Sequence, residues 1–228
     1  MLRKICLIIV MITVLISTCS CAKQSMAKEK ENLVISDDSF AEADIEISFP
    51  QFSGFKDAAL QNKINALLKD EAFREYEKNN DLSLSIKYEI IHQDDKSISV
   101  IYSGFAYNKQ AAYPRDIFTT INIDLESGNR IRLSDIVEVD NLFVEELRKT
   151  LSSYIDENPD WEPVYSEKLD ADNEYLLSLM LQADLETTRD CFSYYTSDYL
   201  GISFSTAHVA GDHFEIKMKF SGLEDYIK

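Results

Sequence analysis

The sequence has little glycine. It is 228 residues long, yet it contains only six glycines, and they are spread widely along the chain. Dinucleotide-binding loops, phosphate-binding loops and the nucleophile elbow of α/β-hydrolases all need glycines within about five positions of each other. The sequence therefore excludes these three motifs. The glycines are Gly54, Gly104, Gly128, Gly201, Gly211 and Gly222.

Histidine is scarcer still, with His92, His208 and His213 as the whole set. No HExxH motif is present, and a pair at 208 and 213 does not match the spacing of a zinc site. His208 could be imagined in a triad with Ser203 or Ser205. Serine is so common in this chain that such pairs are inevitable, and a solvated or hydrogen-bonded histidine is the better interpretation.

An acidic segment at 170–174 faintly resembles a calcium-binding EF-hand loop. That loop needs glycine at its sixth place and glutamate at its twelfth, where this sequence has Tyr175 and Leu181. We therefore interpret Asp172 as a helix cap and predict no metal site and no cofactor. The sequence offers no nucleophile, metal set or assignable acid–base pair, and we expect a protein that is not an enzyme.

Cysteine is too rare for a disulfide scaffold. Of four cysteines, Cys6 lies in an apolar run, Cys19 and Cys21 follow that run, and only Cys191 belongs to the globular part. Because aromatic residues flank Cys191, we expect it to be buried as a small apolar side chain.

Basic residues are also far fewer than acidic ones. The chain has 23 lysines and arginines against 40 aspartates and glutamates, a net charge of −17. Such a surface repels nucleic acid and favours cationic partners. Solubility alone is the other explanation of this charge.

The N-terminus predicts export. Arg3 and Lys4 precede a 12-residue uncharged run, Ile5–Ile16. A membrane span needs about 20 apolar residues, so this run suits a signal peptide, which we place at 1–18. The small residues and cysteine that follow resemble a bacterial lipobox.

Two cysteines compete for the lipid. Cys19 has an aliphatic Ile16 three positions before it but Thr18 directly before it, whereas Cys21 has Ser20 before it but lacks the aliphatic residue. We favour Cys19, with Cys21 as the alternative and plain secretion as the third possibility. Residues 19–42 are polar and predict a flexible tether. This arrangement places the protein at the outer face of the cell membrane, held by its lipid.

Alternating and helical patterns predict one α+β domain over 43–228, with a possible internal boundary near 110. We expect antiparallel, meander-type sheets packed with two to three amphipathic helices. The expected helices cover 57–78, 142–155 and 173–182. The expected strands begin at 45, where Pro50 should end the first one, and at 86, 97, 117, 131, 192, 200 and 214.

Aromatic residues are concentrated between 192 and 204. A sheet core explains most of them, but alternation makes Tyr195 and Tyr199 the more exposed pair and weak candidates for ligand contact.

Several short motifs, in order and spacing, resemble an extracytoplasmic domain family that is PdaC-like at its start and RsiV-like afterwards. The motifs at the start are Phe49-Pro50-Gln51, Gly54-Phe55-Lys56-Asp57, Gln61 and Ile64-Asn65. The later ones are Tyr113-Pro114, Asn122 to Asn129, Leu133 to Ile136, Leu200-Gly201-Ile202 and His208 to Asp212.

The resemblance implies a binding or sensing module, because members of the family include peptidoglycan-deacetylase accessory regions and anti-sigma factors whose external domain binds lysozyme. A stand-alone lipoprotein that captures a cationic wall-associated ligand is the expected function. A structural or interaction subunit of an envelope assembly is the alternative, and a wall-modifying enzyme is less favoured.

Overall fold

The computed structural model describes residues 33–77 and 81–228. The predicted signal peptide, Cys19, Cys21 and the first part of the predicted tether lie outside the described residues. Within them, the mixed α+β class is confirmed, with nine strands in two sheets and five helices. No helix in this part of the chain is long and apolar enough to span a membrane.

The first sheet has six strands that follow one another in sequence order. Its pairings are antiparallel except that β2 and β3 run parallel through residues 45–47 and 84–86. This single parallel pair departs from the expected meander, because α1 connects the two strands as a crossover. The strands are β1 (Val34–Glu42), β2 (Ile45–Ser53), β3 (Leu82–Gln93), β4 (Ser97–Asn108), β5 (Arg115–Asp124) and β6 (Asn129–Ile131), and the helix is α1 (Ala58–Ala72).

The first strand corrects the prediction of a tether over 19–42, since residues 34–42 pair with β2 along its whole length. The segment is polar because most of its side chains are exposed, and only Ile35 and Phe40 turn inward. An edge strand is held mainly by backbone hydrogen bonds to its neighbour, so it does not need a run of apolar side chains. Pro50 does not end β2 either, because that strand continues beside β1 to Ser53.

Helix α1 begins where its sequence predicts. The Asp57 carboxylate caps it by accepting hydrogen bonds from the amides of Ala59 and Leu60. The helix ends at Ala72, earlier than expected. The chain then turns so that the Phe73 ring lies 5.4 Å from that of Phe40 on β1, and this tertiary contact stabilises both the turn and the edge strand. The residues expected to end the helix at 78–80 lie outside the described residues.

The second half of the domain places four helices on a three-stranded antiparallel sheet. Two of the helices, α3 and α5, were expected. The other two were not: α2 is a single turn, and α4 follows the short 3₁₀ turn at Pro159–Trp161. The elements are α2 (Leu133–Ile136), α3 (Asn141–Glu157), α4 (Glu162–Leu169), α5 (Asn173–Leu181), β7 (Cys191–Tyr195), β8 (Tyr199–Ser205) and β9 (His213–Lys219).

Two hydrophobic cores result, one for each sheet. The first core is drawn from residues 45–125 and lies between α1 and one face of the large sheet. The second is drawn from residues 133–223 and lies between the small sheet and its helices. Position 110 lies in the hairpin loop between β4 and β5, inside the first sheet. The change of core therefore falls at 126–132, and the predicted internal boundary near 110 is wrong.

Candidate functional site

The two sheets meet where β5 passes beside β7, and at one end this junction is closed by polar groups. The Thr120 hydroxyl and the Asn122 side-chain amide both donate to the carbonyl oxygen of Ser193, at 2.5 and 2.9 Å. The Ser99 hydroxyl donates to the Asn122 side-chain oxygen at 2.6 Å. All four residues are fully buried, so each polar group needs a partner inside the protein.

Asp184 completes this polar seam, which we define as Ser99, Thr120, Asn122, Asp184 and Ser193. Its carboxylate accepts hydrogen bonds from the amide and hydroxyl of Ser193 at 2.7 and 2.6 Å and from the amide of Leu133 at 2.8 Å. Burial raises the pKa of Asp184 to about 6, although these donors oppose the shift. The seam therefore contains a carboxylate that exchanges a proton near neutral pH.

At its other end the junction opens into a cleft of about 480 Å³ between the sheets. Phe118 of β5 forms one wall, and its ring stacks on His213 with centroids 4.7 Å apart. Tyr194 and Tyr199 form the opposite side, with their rings edge to face at 6.2 Å. We call this the inter-sheet cleft. A smaller cavity of about 240 Å³ adjoins it and shares Phe118 and His213.

A glycine makes room for the central tyrosine of the cleft. A Cβ atom at Gly201 would lie 2.1 Å from Cζ of Tyr194, so only glycine lets this ring lie flat against β8. The Tyr194 hydroxyl donates to the carboxylate of Glu215 on β9. Burial and this carboxylate raise the pKa of Tyr194, which keeps the phenol protonated as a donor.

The charge of the cleft is predominantly negative. Glu89, Asp116 and Glu215 line it, against the single cation Lys217. The Lys217 ammonium lies 5.2 Å from the centre of the Tyr199 ring, a cation–π distance. Burial lowers the pKa of His213, although the nearby carboxylates oppose the shift, so that ring adds no positive charge at neutral pH.

A histidine–aspartate pair lies at the edge of the smaller cavity, which Asp212 lines, and we call this edge the rim. Nδ1 of His208 lies 2.9 Å from a carboxylate oxygen of Asp212, and Asp212 also accepts from the amide of Asp116 at 2.8 Å. Next to this pair are two exposed apolar side chains, Tyr113 at 72% and Val209 at 96% exposure. The Tyr113 ring is 6.5 Å from that of His208.

The structure separates the two tyrosines that the sequence had paired. Both Tyr195 and Tyr199 are more exposed than their aromatic neighbours, as alternation predicts. Tyr199 lines the cleft, whereas Tyr195 points to the other face of β7 and packs 5.2 Å from the His92 ring. Cys191 is fully buried, as expected, and burial raises the pKa of its thiol. Asp172 caps α5 through the amide of Tyr175, also as expected.

Sequence reasoning missed most of the cleft. Phe118 and His213 each lie in a strand with ordinary alternation, so nothing in the sequence distinguishes them from other core or surface residues. Glu215 is one acidic residue among many. Gly201 was the available signal, because a glycine inside a strand often marks a close approach by another group. No group of three or more possible metal ligands occurs in the described ranges.

The fold is similar to two crystal structures of DUF3298 family proteins. One, from Bacteroides fragilis NCTC 9343, has a TM-score of 0.54 and 15% sequence identity, covering 87% of this chain and 95% of that one. The other, from Pseudomonas aeruginosa PAO1, has a TM-score of 0.51 and 11% identity, covering 86% and 93%. No family model and no curated protein matches the sequence. At such low identity the likeness shows the fold alone.

Proposed function

We propose that this protein is a lipid-anchored, extracytoplasmic binding module whose inter-sheet cleft receives a cationic side chain of a basic protein. The observation that carries the proposal is the composition of the cleft, where aromatic rings lie beside three carboxylates. An ammonium or guanidinium group gains both cation–π attraction and an ion pair in such a site.

The cleft already accommodates a cation of this kind. Lys217 extends over the Tyr199 ring, so a lysine fits on this tyrosine face, and a partner's cation would displace it or bind at the carboxylates beside it. A lysine or arginine from a partner would meet Asp116 and Glu89, which are exposed at the opening. Neither carboxylate forms an ion pair within the described part of the chain.

The rim favours a protein over a small molecule. Tyr113 and Val209 expose apolar surface next to the His208–Asp212 pair, and exposed aromatic side chains are enriched where proteins bind each other. The resemblance to the PdaC-like and RsiV-like family supplies the class of partner, a lysozyme-like basic enzyme. The net charge of −17 supports the same choice, because charge complementarity accelerates encounter.

Binding of lysozyme by the purified chain at low and high salt tests the proposal. The informative variant combines Glu89→Gln, Asp116→Asn and Glu215→Gln, which removes charge from the cleft but keeps side-chain size and an acceptor for Tyr194. Its matched control removes three exposed carboxylates elsewhere, with Glu157→Gln, Asp160→Asn and Glu174→Gln.

We expect the cleft variant to lose at least ten-fold in affinity and the control to lose only the small, salt-sensitive part that depends on total charge. Equal losses in the two variants would show that net charge alone attracts lysozyme. Absence of binding at low salt would remove the proposed partner.

The anchor is tested separately, by replacing Cys19 and Cys21 with serine. Diacylglycerol is attached through a thiol, so the double variant should lose fatty-acid labelling and membrane retention while export continues. Single replacements identify the modified residue, and we expect Cys19→Ser to have the larger effect. A double variant that still labels and still pellets with membranes would contradict the lipoprotein assignment.

A catalytic function has one observation in its favour, the His208–Asp212 pair at the rim. An exposed histidine held by a carboxylate can act as a general base. Replacement of His208 with alanine, assayed for changes in wall structure, tests this alternative. If wall processing is lost while lysozyme binding and the folded state are retained, the enzyme interpretation replaces the binding one.

An interaction subunit of a larger envelope assembly is the other alternative, favoured by the exposed Tyr113 and Val209. Crosslinking in intact cells followed by pull-down distinguishes it. Recovery of a constant set of envelope proteins in place of a basic enzyme would support the assembly.

A further inference from the structure

A second pocket, of about 510 Å³, lies away from the cleft and has the opposite charge. It is formed by the side of α1, the turn between β5 and β6, and the segment that follows α5. Three cationic side chains line it: Lys63, Arg130 and Arg132. We call it the basic pocket. In a chain where acidic residues outnumber basic ones 40 to 23, such a concentration of positive charge is unexpected.

Two of the three cations have only neutral hydrogen-bond partners. The Lys63 ammonium donates to the Ser127 carbonyl oxygen at 3.1 Å and to the Asn129 side-chain oxygen at 2.6 Å. The Arg132 guanidinium donates to the carbonyl oxygens of Leu181 and Ala183, at 2.5 and 3.4 Å. These contacts orient the side chains, but they leave both positive charges without a carboxylate among the described residues.

The third cation has to share its carboxylate. Glu71 is almost fully buried and accepts from Arg130 at 2.9 Å, but the same carboxylate also accepts from Arg74 through two bonds of 2.6 Å. In addition, Nη1 of Arg130 is buried and has no hydrogen-bond partner among the residues that the structure describes. A buried donor without a partner is destabilising, and native structures rarely keep one without a reason.

Three cations line the pocket against two carboxylates, Asp184 and Glu186, so these carboxylates offset the positive charge only in part. The Asp184 carboxylate accepts three hydrogen bonds from neutral donors in the polar seam. Glu186 is exposed and forms no ion pair within the described part of the chain. Lys63 and Arg132 thus contribute two positive charges at one opening. A phosphate group carries about −1.5 to −2 charges at pH 7 and offers three or more acceptor oxygens.

We propose that the basic pocket binds a phosphate group, with Lys63 and Arg132 as its direct ligands and Arg130 beneath them as a fixed positive charge. This site is independent of the inter-sheet cleft and does not rest on the function proposed for it. A phosphate on an envelope polymer and free inorganic phosphate share this chemistry.

Titration of the purified full chain with sodium phosphate, followed through the backbone amide resonances of Gly128, Asn129 and Arg132, tests the site. Sodium chloride and sodium acetate at matched ionic strength and pH are the comparison arms. Phosphate should shift these three amides saturably. Chloride should not, and acetate should bind more weakly because it has one charge and two oxygens.

Lys63→Gln should weaken phosphate binding about ten-fold, the loss of one charge-assisted contact. The glutamine is exposed on α1 and can still donate to Asn129, so the fold should persist. Lys219→Gln, at an exposed lysine that ends β9, is the matched control and should leave the affinity unchanged. Arg132→Gln should weaken binding further, and if that variant fails to fold, Lys63→Gln alone decides.

Equal shifts with phosphate and chloride would overturn the proposal, and so would equal affinities of the wild type and Lys63→Gln. Acetate that binds as tightly as phosphate would also overturn it, because the site would then select a carboxylate. If the site is phosphate-specific, titration with glycerol 3-phosphate, a phosphomonoester of similar charge, next separates the two sources. A site for a polymer-borne phosphate should bind it at least as tightly as inorganic phosphate, and a site for free phosphate should bind it more weakly.

Discussion

The same two sheets meet in two different ways, as a closed polar seam and as an open aromatic cleft. In the seam, β5 and β7 are joined by hydrogen bonds from small polar side chains of β5 to the backbone carbonyl of Ser193, with Asp184 at one end. In the cleft, Phe118 and Tyr194 hold the sheets apart, their ring centroids 6.0 Å from each other. Small polar groups let the sheets close, whereas rings leave space that a ligand can enter.

The largest expected effect is loss of the seam carboxylate. Asp184→Ala leaves three buried donors without an acceptor, on Leu133 and Ser193, and each unpaired donor costs about 1–3 kcal/mol. We expect the free energy of unfolding to fall by at least about 3 kcal/mol, measured by urea denaturation.

Asp190→Ala is the control for this change, because Asp190 is an exposed aspartate of the same loop. It should change stability by less than about 0.5 kcal/mol. Similar losses in both variants would mean that the loop, and not the seam, is the sensitive element.

Filling the space behind Tyr194 should have the next largest effect. Gly201→Ala places a Cβ atom 2.1 Å from the ring, so the ring must move and overpacking should cost about 1–3 kcal/mol. Lysozyme binding should weaken as well, because the displaced ring changes the cleft. Gly222→Ala, where no atom lies within 4 Å of the added Cβ, should be close to neutral, and a matching loss there would contradict the packing argument.

Acidification should change the contributions of the seam and of the cleft to the free energy of unfolding in opposite directions. The pKa of Asp184 is raised to about 6 in the folded state, so the folded protein takes up a proton before the unfolded chain does. This group therefore adds about 1 kcal/mol of stability as pH falls from 7 to 5. The pKa of His213 is lowered, so the unfolded chain is protonated first and this group reduces stability over the same range.

Denaturation of the wild type, Asp184→Asn and His213→Gln at pH 7 and pH 5 measures these two contributions. Relative to the wild type, Asp184→Asn should lose the gain on acidification, and His213→Gln should lose the penalty. Both variants changing the pH dependence in the same direction would show that one of the two assignments is wrong.

The smallest expected effect is removal of the Tyr194 hydroxyl. Tyr194→Phe deletes the hydrogen bond to Glu215 but keeps the ring, and Glu215 remains accessible to water, so stability should fall by only about 0.5–1 kcal/mol. Lysozyme binding should be retained, because the aromatic wall is unchanged. A large loss of binding with little loss of stability would instead make the hydroxyl itself a ligand contact.

Apolar periodicity predicts much of the fold from the sequence alone. The stripe of Ile64 and Leu68 located α1, and the alternation of Ile98, Val100 and Tyr102 located β4, because these patterns follow directly from helix and strand geometry. The helix cap at Asp172 was equally readable, since it satisfies an amide only three residues away.

The errors occurred where a distant contact overrides the local pattern. β1 exists because β2 pairs with it and because Phe40 packs on the turn after α1, and neither fact can be read from a polar segment. The parallel pairing of β2 with β3 was missed for the same reason, since the direction of a crossover depends on how α1 packs.

The candidate sites were the least predictable part. Tyr199 was named from the sequence, but its neighbours in the cleft come from β5, β7 and β9, and the basic pocket combines Lys63 with arginines almost 70 positions away. By itself the sequence determined the class of fold, the helix caps and the excess of negative charge, because these depend on composition and on neighbours within one turn or one strand. Only the tertiary structure decided which polar residues became a buried seam and which charges remained at an opening, because burial and pairing are set by residues far apart in the chain.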